Sequence, residues 1–114
     1  MCRINIVPLS VNGAWQGRRF KTPAYKKFEQ TLLFLMPKKR YFFEKNAKLS
    51  VKYIFGFSSK LSDLANPEKL VTDIICKKYG FDDRQIYEML LLKEIVPKGT
   101  EFIDFEILEI FSAK

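Results

Sequence analysis

The chain has no histidine and only two cysteines, Cys2 and Cys76, far apart in sequence. Without histidine there is no Ser-His or Cys-His nucleophile pair, and with two distant thiols a zinc site of Cys and His is excluded as well. The same two thiols build no disulfide framework, so a reduced, cytoplasmic protein is expected. Long apolar runs are also missing: residues 32–36 and 89–92 fall far short of the ~20 needed to cross a bilayer, so no membrane partner is expected. The opening Met-Cys-Arg-Ile-Asn-Ile lacks the pattern of a secretion signal. Acidic residues are scarce in one half only. Residues 1–60 hold 13 Lys/Arg against Glu29 and Glu44, a net of +11, whereas residues 61–114 hold 7 Lys/Arg against 11 Asp/Glu, a net of −4. This asymmetry suits a polyanion bound by the first half, with a lysine-rich solvated surface as the plainer account.

What is present is a chain of 114 residues, 47% apolar, enough for one globular domain with one core over residues 1–114. Residues 3–8 alternate and are β-branched, predicting a strand that Pro8 ends. Residues 9–21 read as a loop or short hairpin. There Arg18, Arg19 and Lys21 are candidates for phosphate contact, while Trp15 and Phe20 are better explained as core plugs. Thr22-Pro23 starts a helix, Tyr25, Phe28, Leu32 and Leu35 give it an apolar face, and Pro37 stops it near Met36. The basic cluster Lys38-Lys39-Arg40 follows, either a solvated turn or an extension of a DNA-binding surface.

Residues 49–57 read as a strand with Leu49, Val51, Tyr53, Phe55 and Phe57 on one face. Asn66 as N-cap and Pro67 as first residue open a second helix, which runs to about Lys78 with Gly80 as left-handed cap. Its buried face is Leu70, Val71, Ile74 and Ile75. Asn66, Lys69 and Asp73 form a polar stripe on the opposite side, which by itself is a surface ion pair. A turn at residues 81–84 leads to residues 86–96, and Pro97-Lys98-Gly99-Thr100 leads to alternating residues 102–110, both predicted strands joined as a hairpin. The order β-α-β-α-β-β predicts an α+β domain, a mixed sheet with two helices packed on it.

The chemistry gathers around one stretch. A histidine-free phosphodiesterase needs carboxylates to hold a divalent cation, and a lysine adds a point charge for the phosphate. Asp63, Lys69, Asp73 and Asp83 offer those groups. The order Asp63-Leu64-Ala65-Asn66-Pro67-Glu68-Lys69, then Asp73, then Tyr79-Gly80-Phe81-Asp82-Asp83-Arg84-Gln85-Ile86, resembles the RusA family of Holliday-junction resolvases. That family carries Asp-x-Asp-Asn-x-x-Lys-x-x-x-Asp, a glycine turn, and Asp-Asp-x-Gln-Ile/Val. The Pro8-Leu9-Ser10-Val11-Asn12 segment with Trp15, the Thr22-Pro23 helix start with Tyr25, and the Lys98-Gly99 turn before the last strand extend the likeness over nearly the whole chain.

The resemblance implies a Mg²⁺-dependent endodeoxyribonuclease of phage or bacterial recombination and repair, with Mn²⁺ as substitute. It would be a homodimer placing paired symmetric nicks in a four-way junction. It assigns Asp63 as first metal ligand, Asp83 as third, Lys69 as catalytic lysine, and Asn66, Asp73 and Asp82 as supporting residues. The second ligand position holds Ala65, whose methyl group binds no metal, so catalysis is expected to be much weakened. Either the aspartate was replaced by design or the chain is a degenerate member that binds junctions without cutting. A third reading has no DNA partner at all.

Overall fold

The computed structural model describes residues 2–9, 20–38, 41 and 43–111, together with 15 and 16; of 15, 16 and 20 only the backbone is described. Two strands, β2 (Trp15–Gln16) and β3 (Phe20–Lys21), pair antiparallel, the second of the two readings, loop or short hairpin, of residues 9–21. The first strand, β1 (Cys2–Ile4), is shorter than the predicted 3–8. Helix α1 (Pro23–Leu35) begins where Thr22-Pro23 places it: the Thr22 hydroxyl accepts the Tyr25 N–H at 3.1 Å. Tyr25, Phe28 and Leu32 are buried, but Leu35 is 43% exposed, and Met36, just past the last turn, is buried in its stead. Leu35 and Met36 exchange roles because the chain leaves helical geometry at Met36.

A four-stranded mixed sheet has the order β1-β6-β4-β5. Its centre is β4 (Lys48–Phe57), whose Leu49, Val51, Tyr53 and Phe55 are completely buried. Helix α2 (Glu68–Tyr79) connects β4 to the parallel strand β5 (Ile86–Ile95). Gly80, at φ +73°, ends the helix and donates to the Cys76 carbonyl at 2.8 Å, as its position after the last apolar residue predicts. The last strand, β6 (Phe102–Ile110), runs antiparallel to both β4 and β1. One core joins α1, α2 and the inward-facing residues of β4 and β6. The α+β class and the β-α-β-α-β-β order therefore hold.

The predicted hairpin between the last two strands does not form. The Pro97–Thr100 turn is present, with the Thr100 N–H and hydroxyl both donating to the Pro97 carbonyl, but β4 lies between β5 and β6. The strand with the most fully buried side chains, β4, is paired on both edges. Among the described residues, no helix is long and apolar enough to cross a membrane.

Candidate functional site

The predicted N-cap at Asn66 is not made. Two consecutive turns enter α2 instead: Asn66 N–H donates to the Asp63 carbonyl at 3.2 Å and Glu68 N–H to the Ala65 carbonyl at 3.3 Å. Pro67 thereby takes the cap position, in helical geometry and without a capping side chain. The Asp63 carboxylate folds back to accept the Ala65 N–H at 3.1 Å, an Asx turn that is a common alternative use of Asp. Asp63 and Asn66 line a cavity of about 220 Å³ with Phe57, Pro67 and Glu101.

In the helix itself two of the three expected stripe residues meet, while Asn66 lies ahead of it. Lys69 and Asp73, four residues apart, point to solvent and pair at 3.1 Å. Beyond the Gly80 cap, a 3₁₀ turn (Asp83–Gln85) returns the chain alongside α2, and the Asp83 carboxylate reaches the same ammonium at 3.5 Å. Lys69 thus lies between two carboxylates, and its pKa is raised, chiefly by the hydrogen bond to Asp73 and then by the charges of Asp73 and Asp83. Together with Glu68, Thr72 and Tyr87, Lys69 and Asp83 line a cavity of about 310 Å³ between α2 and β5.

Asp82 is committed to the turn itself. Its carboxylate accepts the Arg84 N–H at 3.0 Å and the Arg84 guanidinium at 2.9 Å, while Gln85 accepts the Asp82 N–H in a reciprocal cap. The Arg84 side chain, first, and its backbone N–H hold the Asp82 carboxyl down at about 2. The Cys76 thiol lines a depression with Asp73, Asp82 and Asp83, and burial together with those three acids pushes it up to about 12. It is a protonated thiol at neutral pH.

The structure therefore brings together Lys69, Asp73 and Asp83 but seats Asp63 in a different cavity. Asp73, Asp83 and Asp63 are oxygen donors of the kind Mg²⁺ takes. As placed they do not make a cage: Ala65 offers no donor, the Lys69 ammonium already spans two of the acids, and among the described residues no three His, Cys, Asp or Glu gather closely enough to hold a metal. In the chain as it stands the fit fails.

Of the predicted DNA contacts, Lys38 is exposed. Lys21 is engaged by Glu29 at 3.2 Å, which Lys77 also approaches at 3.8 Å, so part of its charge is already neutralised. Arg18, Arg19, Lys39 and Arg40 lie outside the described residues.

Three further groups shape the site. Lys93 reaches from β5 to donate to the carbonyls of Ser62 at 2.8 Å and Lys60 at 3.2 Å, fixing the loop just ahead of Asp63. The Gln85 amide donates to the carbonyls of Glu44 and Ala47, tying the 3₁₀ turn to the segment before β4. Glu68 accepts from Thr72, whose hydroxyl also meets the buried Tyr53 phenol at 2.8 Å. Gln85 stood inside the motif as quoted, but Lys93 carried no sequence signal, since a lone lysine on a strand is ordinary. Comparison with protein-family models and with curated proteins finds no match, so the reading of this site rests on its own residues and their geometry.

Proposed function

We propose that this chain is a RusA-like DNA-junction protein, a structure-selective endodeoxyribonuclease scaffold whose hydrolytic centre is disabled at residue 65. The observation that carries the reading is the meeting of three motif residues on one exposed surface. Lys69 touches both Asp73 and Asp83, although 14 positions separate Lys69 from Asp83. A surface ion pair at i,i+4 is ordinary; the addition of Asp83 from beyond the helix cap is not, and it supports the reading.

With an aspartate at 65, the oxygen donors Asp63, residue 65 and Asp83 are the set assigned to Mg²⁺, with Mn²⁺ as substitute. A cation held there would supply an acidified water and charge neutralisation at the phosphate. Lys69 provides a second positive charge for the same phosphate. In the chain as written, the basic charge of residues 1–60 remains available to DNA, so binding survives the loss of cutting.

Two symmetric nicks require two centres, and a homodimer is part of the reading. Its support is the sheet face turned away from the helices, where Leu90, Leu92 and Leu108 are 50%, 38% and 56% exposed. Strands of 3, 9, 10 and 10 residues at ~4.8 Å spacing and ~3.3 Å per residue give a face of roughly 500 Å², below the ~800 Å² per partner of a stable interface. A second reading, a junction-binding protein of the same fold that never cuts, is favoured by the separate cavities of Asp63 and Asp83. Both readings predict tight binding of a four-way junction that falls steeply with salt. About six phosphate contacts would cost about 10³-fold in affinity between 50 and 200 mM. Anisotropy with a labelled junction measures this, and a flat salt response would remove DNA as the partner.

A further inference from the structure

Across Tyr87 from the Lys69–Asp83 cavity lies a larger cleft of about 680 Å³. Its apolar lining is Phe81, nearly buried, and Phe43, whose ring meets that of Phe81 edge-on at 5.9 Å. Lys45 and Arg84 add positive charge to its lining, and Asp82, paired with Arg84, adds a carboxylate. Tyr87 lines both spaces and is 66% exposed. Its position has a structural cause. In the parallel pairing of β4 with β5, Leu49 faces Ile86 and Ser50 faces Glu88, so Tyr87 is an extra residue at an irregularity in the ladder. Such bulges re-aim a side chain and recur beside functional sites.

The cleft is held in shape and its cations are accessible. The Gln85 amide is used up on the Glu44 and Ala47 carbonyls and serves as wall rather than ligand contact. Arg84 is anchored by Asp82 at 2.9 Å while its side chain stays 88% exposed. The Lys48 ammonium sits over one face of the Tyr87 ring, 5.1 Å from its centroid, so a base has the other face to stack on. An exposed aromatic ring, an apolar floor, Lys45 and Arg84 in the lining and Lys48 beside the ring match a planar base carrying phosphate. A base stacked inside a duplex presents no free face to such a ring, whereas an unpaired one does.

We infer that this cleft takes a single unpaired nucleotide of a DNA strand, its base stacked on Tyr87 and its flanking phosphates against Lys45, Lys48 and Arg84. The inference rests on the DNA-binding reading and deepens it, because a strand so held passes directly over the Lys69–Asp83 cavity.

The test is fluorescence anisotropy on the full chain with three labelled DNAs: a short oligothymidylate, a four-way junction and a blunt duplex. Tyr87→Ala is expected to weaken oligothymidylate binding about tenfold, the order of one stacked base, and duplex binding less than twofold. Tyr87→Phe, which keeps the ring, is expected to retain the affinity of the unaltered chain. A melting curve confirms that Tyr87→Ala is folded, as its exposure implies. Equal losses on all three DNAs, no loss on the oligothymidylate, or a Phe variant as weak as the Ala variant would each overturn the inference. Displacement of the strand by thymidine monophosphate at equal nucleotide concentration would overturn it too, in favour of a free nucleotide. If the chain binds none of the three DNAs, the junction reading falls and takes this one with it. If it binds them all and Tyr87→Ala changes nothing, only the cleft is lost.

Discussion

Asp82 and Asp83 are adjacent but differ in what they serve. Asp83 reaches Lys69 on α2, whereas Asp82 caps the turn and holds Arg84. Because Arg84 keeps the folded-state pKa of Asp82 at about 2, below its unfolded value near 3.9, the stabilisation it brings is complete above about pH 4 and lost as pH falls through about 2. Asp82→Ala is therefore expected to lower Tm at pH 6, with the gap to the unaltered chain closing between about pH 4 and pH 2. A gap of constant size across that range would place the contribution of Asp82 elsewhere. At this scale the sequence was informative where spacing is local. Lys69 and Asp73 stand four apart on a helix and meet because helical geometry makes them neighbours. Asp63 shows the opposite case. An aspartate two residues before a turn N–H is free to fold back on it, and nothing in the residue order says whether it will face Asp83 or its own backbone.

Among the elements, β4 does most to position the site, since α2 and the Asp83 turn are hung between it and β5. Near its end, Gly56 lies under the Phe102 ring of β6, and a Cβ there would run into that ring. Gly56→Ala should therefore destabilise the fold by about 1–3 kcal/mol, the usual cost of overpacking, read as a lower urea midpoint. An unchanged midpoint would mean that Phe102 swings aside freely. The element ends were legible because their signals are chemical and local: Thr22-Pro23 at the start of α1, and Gly80, the one residue type that takes φ +73° readily, after α2. The partnership of β5 was not. A Pro-Lys-Gly-Thr turn says that the chain reverses, and β6 does run opposite to β5. It does not say that β4 will be interposed, since strand pairing is settled by which apolar faces can share a core.

For the whole molecule, the division of charge acquires a spatial meaning. The acids of residues 61–114 include those gathered at α2 and the turn after it, with Lys69 offsetting part of their charge, while Lys45 of the basic half lines the neighbouring cleft with Arg84 and Asp82, and Lys48 lies over the Tyr87 ring. DNA drawn to the cations would be delivered past Tyr87 to Lys69 and the carboxylates. On the proposed reading, what the site lacks is an oxygen donor at residue 65. The central claim is therefore tested most directly by incubating the chain and its Ala65→Asp variant with a labelled four-way junction in Mg²⁺ and mapping the products at single-nucleotide resolution. The account predicts that both forms bind and that only Ala65→Asp makes paired symmetric nicks. Cutting by the unaltered chain at the rate of the variant, or no cutting by a variant that still binds the junction, would contradict it.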